Sequence, residues 1–173
     1  MNIFFTADQH FYHYNIIRHC QRPFSSVAEM NKTIIDNWNS VVNKNDLVYV
    51  LGDFCWRGKP SQVNQMLLDL NGNKYLVKGN HDSKQVHKSH FIWVRDLDTI
   101  RIGQDRIVLC HYPLRSWSSK SHGTYHLHGH CHGNLKSPIK NSLDVGVDSN
   151  NFTPVNWEVL KKRLDEQKGD LYD

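Results

Sequence analysis

Asp46-Leu47-Val48-Tyr49-Val50-Leu51-Gly52-Asp53 is an apolar run that stops on a glycine and a carboxylate. Phe54-Cys55-Trp56-Arg57-Gly58-Lys59-Pro60 then carries the chain into a helix opened by proline. The run has the length and composition of a buried strand, and the helix after it sets Val63, Met66, Leu67 and Leu70 on one face. The same unit recurs on both sides. Upstream, Asn2 to Thr6 is a short apolar strand that runs into Asp8-Gln9-His10; from Val27 the residues Met30, Ile34, Trp38 and Val41 recur at helical spacing behind a capping-box pair, Ser26 and Glu29. Downstream, Lys74 to Lys78 is a third strand, ending at Gly79-Asn80-His81-Asp82. Three strands separated by helical segments are βαβ units, whose right-handed crossovers predict a parallel sheet in a layered α/β core.

The second half changes character. Thr99 to Ile102 and Arg106 to Cys110 flank Gly103-Gln104-Asp105 as a hairpin, so antiparallel pairing is expected there. Tyr125 to Gly129 and Ser142 to Val147 read as further strands, Thr153-Pro154 as the start of a last helix reaching about Glu166, and Lys168 to Asp173 as a frayed end. A chain of 173 residues without repeat or linker predicts one domain over 1–173. At 39% hydrophobic and 22% charged it can bury a core, which argues against a disordered or fibrous protein. The net charge of +4 suits a small anionic ligand and falls short of a nucleic-acid coat, so a nucleic-acid partner is neither supported nor excluded. No apolar run approaches the roughly 18 residues of a membrane span. The start lacks a basic leader, and the four cysteines follow no CxxC spacing, so a soluble cytoplasmic protein with reduced thiols is expected. The oligomeric state is left open.

Histidine is the outlier, with 12 residues, and the polar clusters fall where predicted strands end: Asp8 with His10, Asp53, Asn80 with His81, His111, and His130 with His132. In α/β sheets that edge is where ligands bind. Carboxylates, imidazoles and an amide oxygen form a mixed set that suits manganese, iron or zinc and not calcium. With His81 set aside, the seven other candidates exceed what one ion takes with room for water, which implies two ions sharing a carboxylate. His130 and His132, two residues apart, would project to one side if strand geometry continued there, with Cys131 turned away.

Asp8-x-His10, Gly52-Asp53, Gly79-Asn80-His81-Asp82, an isolated His111 and Gly129-His130-x-His132, taken in order, resemble the five motifs of the calcineurin-like metallophosphoesterases. Asp8 to Phe24 and Ile34 to Asp53 resemble the small single-domain members found in bacteria and phages. The resemblance implies a two-sheet β-sandwich flanked by helices, a four-layer αββα fold, and hydrolysis of phosphoesters at a centre of two divalent ions. Manganese is the first choice of metal, with iron, zinc, nickel and magnesium as alternatives. Carried over by position, Asp8, His10 and His132 hold one ion, Asn80, His111 and His130 the other, and Asp53 bridges them. A water between ions about 3.5 to 4 Å apart is acidic enough to attack near neutral pH.

By the same resemblance His81 is the general acid and Arg57 a phosphate holder. In the protein-phosphatase branch the second motif reads Gly-Asp-x-x-Asp-Arg-Gly; Trp56 stands here in place of its second Asp, so the carboxylate that would orient His81 is missing and Asp82 is the candidate to replace it. His13 and Asn15 are candidates to line the substrate cleft. The substrate is a small anionic phosphoester, first a phosphodiester such as a nucleotide or cyclic nucleotide, because no insertion is available to cap the site. A phosphomonoester or phosphoprotein substrate, and a non-catalytic scaffold of the same fold, are the alternatives. Tyr12, Trp56, Tyr112 and Trp117 are read as core or rim packing ahead of base stacking, and Cys55, Cys110 and Cys131 as small buried thiols. His126 and His128 are read as sheet histidines, and His19, His87, His90 and His122 as surface residues.

Overall fold

The computed structural model describes residues 1–87, 89–137 and 139–167, without the side chains of residues 85 and 87. The end from Lys168 and the side chain of His87 lie outside what is described. In chain order the elements are β1 (Ile3–Thr6), α1 (Tyr14–His19), α2 (Val27–Val41), β2 (Leu47–Val50), α3 (Pro60–Asp69), β3 (Asn73–Val77), α4 (Lys84–His87), β4 (Val94–Arg95), β5 (Leu97–Ile102), β6 (Asp105–Cys110), β7 (Tyr125–His128), β8 (Ser142–Asp144), β9 (Val155–Asn156) and α5 (Trp157–Asp165).

Two sheets result. The first has the order β4-β3-β2-β1-β9, the second β5-β6-β7-β8. In the first, β1, β2, β3 and β4 run parallel, as the βαβ reading requires. Alternation along these strands builds two cores. Phe4, Val48, Val50 and Leu76 point at the helices and meet Met30, Ile34, Trp38, Val63, Met66 and Leu67. Phe5, Leu51 and Val77 point the other way, onto Ile107, Leu109 and Leu127 of the second sheet and onto Trp157 and Leu160 of α5. Each such side chain, fully buried, stabilises the fold by roughly 1.5–3 kcal/mol. The architecture is mixed α/β, two sheets flanked by helices. No described helix is long and apolar enough to cross a membrane.

Pairing in the second sheet departs from expectation. The hairpin is present, with Ile102 opposite Asp105 and Gly103 at φ +59° in its tight turn. Beyond it, β6–β7 and β7–β8 are parallel, because residues 111–124 and 129–141 are connections long enough to cross over. The last helix also begins later than Thr153-Pro154 suggests. Val155 and Asn156 first pair antiparallel with Phe5 and Phe4, and the Asn156 side chain then caps α5 by accepting the Glu158 N–H at 2.9 Å. Pro154 sits just ahead of an edge strand, where its missing N–H costs nothing.

The parallel strands β1, β2, β3, β6 and β7 therefore deliver their C-terminal ends to one edge of the sandwich. A bridge from Ala7 to Gly146 ties the two sheets together there.

Candidate metal centre

The backbone turns sharply as it leaves each strand. Asp8, His10, Asp53, His130 and His132 all have positive φ, between 48° and 72°. That left-handed region is costly for most residues but tolerated better by Asp and His. The turns let neighbouring loops touch: Asp8 N–H donates to Gly52 O and His10 N–H to Asp53 O, both at 2.9 Å. Gly79 makes a further approach possible, since a Cβ there would lie 2.1 Å from Asp53 Oδ1.

These contacts bring the strand-end residues into one cluster. Asp53 Oδ1 accepts the His81 N–H at 2.8 Å, while its Oδ2 lies 3.5 Å from His10 Nε2 and equally 3.5 Å from His111 Nε2. One carboxylate oxygen thus stands between two imidazoles from different sheets. Asn80 Oδ1 lies 3.0 Å from His111 Nε2 and 3.1 Å from His130 Nδ1. His132 takes the other side, with its ring 5.4 Å from that of His10. The expectation that His130 and His132 share one side is corrected: β7 stops at His128, and the two left-handed residues His130 and His132 turn one imidazole to Asn80 and His111 and the other to His10.

Charge in this cluster is set by burial and by neighbours. Burial pushes Asp8 up to about 7 despite the opposing His132 and His111. Burial likewise lowers His10 to about 3. It would raise Asp53 too, but the hydrogen bond and charge of His111 win and hold that carboxyl below its ordinary range. His132 goes the other way: burial disfavours its cation, yet Asp148, Cys20 and Asp8 outweigh that and lift it to about 10.

The residues present fit divalent cations. Asp8 Oδ1 and His10 Nε2 are buried without a hydrogen-bond partner, an expensive arrangement unless something positive sits against them. Ligand atoms of Asp8, His10 and His132 lie within 4.8 Å of one another, as do those of Asp8, Asp53 and His111. Asp8 belongs to both groups, and Asp53 Oδ2 lies between one histidine of each, His10 and His111. The donor set is the nitrogen and oxygen mixture favoured by manganese, iron and zinc.

The remaining sequence candidates have mixed placements. His81 is exposed at the cluster, its ring edge-on to Trp56 at 4.9 Å. Asp82 does not reach for His81. Its carboxylate is buried and accepts three backbone N–H groups, from Asp53, Phe54 and Gly79, each at 2.9 Å, so it braces the two loops and leaves the His81 ring to Trp56. Arg57 is exposed, with its guanidinium 5.2 Å over the Trp56 ring, and Asn15 is exposed on α1. His13 is nine-tenths buried behind His10 and bonded to it, which makes it a support of that residue more than a cleft surface. Trp117 and His126 pack together in the interior, whereas Tyr112 stays 45% exposed beside His111 and His130.

Two important residues carry no local signal in the sequence. Asp148 accepts from His132 Nδ1 at 2.7 Å, leaving Nε2 to face the cluster. Behind it Arg22, with a fully buried side chain, donates to both oxygens of Asp148 at 2.8 Å and to the carbonyls of Asp8 at 2.7 Å and Gln9 at 2.9 Å. One guanidinium thereby fixes the first motif and the last. The only hint is a charged residue at the end of the apolar Val145-Gly146-Val147 stretch.

Known proteins resemble this chain over most of its length. The family model described as calcineurin-like phosphoesterase matches residues 1–170. The uncharacterized protein MJ1445 of Methanocaldococcus jannaschii is 35% identical over 173 residues, spanning 96% of this chain and 93% of that one. The gene 66 protein of Mycobacterium phage L5 is 25% identical over 181 aligned residues, spanning 86% and 87% of the two chains. Among solved structures, AQ665 of Aquifex aeolicus, a protein of unknown function, matches with a TM-score of 0.76 at 27% identity, covering 94% of this chain and 98% of that one.

Proposed function

Because this chain belongs to the calcineurin-like phosphoesterases, a family of metal-dependent hydrolases, we propose that it cleaves phosphodiesters with two divalent ions, manganese by preference. The observation that carries the dinuclear reading is Asp53 Oδ2, equidistant from His10 Nε2 and His111 Nε2. In this reading Asp8, His10 and His132 hold one ion, Asn80, His111 and His130 the other, and Asp53 bridges. Bound there, such ions would supply an acidified water near neutral pH and charge to offset that of the phosphate.

The chain's own residues do the rest. His81 is exposed, and its backbone is tied to Asp53 Oδ1, so its ring is carried at a fixed place beside the cluster. A proton held on that ring passes to the leaving oxygen as the P–O bond breaks, a contribution worth roughly 100-fold to 10,000-fold. Arg57 and Asn15 are the proposed contacts to the phosphate and its substituents; a planar guanidinium pairs well with two phosphate oxygens. Asn80, His81 and His130 are not buried, which favours an open cleft with room for the second ester group of a diester. The substrate class is a small anionic phosphoester, nucleotides included. The four free cysteines suit a reducing cytoplasm as the place of action.

The test is a hydrolysis screen of bis(p-nitrophenyl) phosphate, p-nitrophenyl phosphate and a cyclic nucleotide after reconstitution with manganese, iron or zinc. Diester turnover with about two ions bound is expected. Faster monoester turnover would reject the diester preference, and full activity in excess chelator would reject metal dependence.

A further inference from the structure

Four rings close into a circuit beside the metal cluster. His10 and His13 have centroids 5.2 Å apart, and His13 stacks on Trp56 at 4.3 Å with planes 10° apart. Trp56 meets His81 edge-on at 4.9 Å, and His81 returns to His10 at 5.5 Å. One contact in this circuit has a direction: Nδ1 of His10 and Nδ1 of His13 are 3.3 Å apart, so one must donate and the other accept.

The direction follows from the other nitrogen of His10. Its Nε2 is buried, has no hydrogen-bond partner, and faces Asp53 Oδ2. A proton there would have only Asp53 Oδ2, 3.5 Å away and outside hydrogen-bond geometry, whereas a lone pair there is what a cation needs. The proton of His10 therefore sits on Nδ1, and His13 Nδ1 receives it. His13 must then carry its own proton on Nε2. Both rings are buried, a setting that disfavours an imidazolium.

We propose that His13 is a positioning residue for the metal centre: it accepts the Nδ1–H of His10, fixing the tautomer and plane of that ligand, and Trp56 holds His13 by stacking. The inference rests on reading Asp8, His10 and His132 as metal ligands. The two histidines of that group would then be supported differently, His132 by the carboxylate of Asp148 and His10 by a neutral imidazole. His13 also lies at the N-cap of α1 without capping it, so its ring is free to turn inward. Trp56 gains a role as well. The indole that occupies the orienting Asp's position in the second motif holds the support of a metal ligand on its face while its other contact borders His81.

The experiment compares His13→Phe and His13→Gln in the full chain. Phenylalanine keeps a ring for Trp56 but cannot accept; glutamine accepts through Oε1 but cannot stack as a ring. The readout is manganese affinity of metal-stripped protein by calorimetric titration. His13→Phe is expected to lose about 10-fold to 100-fold in affinity, the usual effect of removing an outer partner of a metal-ligating histidine. His13→Gln is expected to bind more tightly than His13→Phe. Wild-type affinity in the Phe variant, or a Gln variant no better than Phe, would mean that His13 only packs. Ring nitrogen NMR of the metal-free wild-type protein decides the point without any variant: Nδ1–H on His10 and Nε2–H on His13 are expected, and a proton on His13 Nδ1 overturns the proposal. A wild-type protein that bound no manganese would overturn the metal reading itself. Normal binding by wild type and Phe variant alike overturns only the role of His13.

Discussion

Replacing Arg22 by Met should destabilise the protein far more than a lone arginine on a helix-to-loop connection would suggest. The guanidinium is fully buried and donates to both oxygens of Asp148, whose side chain is only 9% exposed. Its removal strands a buried carboxylate whose remaining side-chain partner is His132, and frees the carbonyls of Asp8 and Gln9. Breaking a buried ion pair in this way costs about 3–5 kcal/mol. With a urea m-value of ~2 kcal/mol per molar, the midpoint of unfolding should fall by roughly 1.5–2.5 M. The assay is urea unfolding in chelator, so that metal linkage does not contribute. Adding Asp148→Asn to the variant removes the stranded charge while keeping an acceptor for His132, and should recover part of the loss. A midpoint shift below about 0.5 M in the single variant, equivalent to ~1 kcal/mol, would refute the claim that this pair braces the site. So would strict additivity in the double variant, since residues in one network should couple by about 0.5–3 kcal/mol.

Asp53→Asn should reduce bound metal and turnover more than any single substitution of His10, His111 or His132, because its Oδ2 faces both groups; elemental analysis beside rate measurements checks this, and two retained ions with normal rate would contradict it. His81→Ala should keep both metals and slow a nucleotide diester by about 100-fold to 10,000-fold, with a smaller loss for a nitrophenyl ester whose leaving group needs no proton; equal losses on both would remove His81 as the acid. Because His132 has a raised folded-state pKa of about 10 against an ordinary 6.5, the stability it contributes to metal-free protein is complete below about pH 6.5 and is lost as pH rises toward ten. For the same reason metal uptake at pH 8 should release close to one proton from His132, seen as a dependence of binding heat on buffer ionisation, and no such dependence would argue against His132 as a ligand. Gly79→Ala should lose metal affinity in the same calorimetric titration, as the new Cβ would meet Asp53 Oδ1 and its backbone nitrogen within 2.3 Å.

Strands β1, β2 and β3 were legible because each is an apolar run cut off by a polar motif, with α2 and α3, apolar on one face, between them; the two-residue β4 at the edge was not read. Both pieces of information are local. What was not legible depends on pairing. Nothing within Tyr125–His128 or Ser142–Asp144 distinguishes a parallel from an antiparallel neighbour; the length of the connections decides, and those connections carry too little periodicity to be read. The two-residue β9 was hidden by Pro154, whose preference for a first helical turn pointed to the wrong boundary. The candidate ligands were visible because they are crowded at strand ends in a recognisable order. Their supports were not, since Arg22 and Asp148 are separated by 126 positions and meet only after folding. Asp82 stands out in the sequence but in a misleading way. Its place beside His81 suggests a side-chain partner, whereas three backbone amides claim it.

Those supports answer an energetic problem that the ligands create. Five of the seven proposed ligands have left-handed backbone, and such conformations cost about 1–2 kcal/mol per ordinary residue. Summed, that approaches the roughly 5–15 kcal/mol by which a domain is stable at all. Two features reduce the burden. The residue types that ligate hard and borderline cations, Asp and His, are also among the non-glycine types that tolerate this region best, so coordination chemistry and backbone geometry select the same side chains. The loops are also braced by groups that bind backbone as well as side chains: Arg22 on the carbonyls of Asp8 and Gln9, Asp82 on the amides of Asp53, Phe54 and Gly79, and Asp8 Oδ2 on the amide of His130. Each brace crosses from one loop to another, so no loop can relax out of its left-handed turn alone. A site built this way keeps its ligand atoms close together before any cation arrives, and the unpartnered Asp8 Oδ1 and His10 Nε2 are the part of that stored strain left for the metal to relieve.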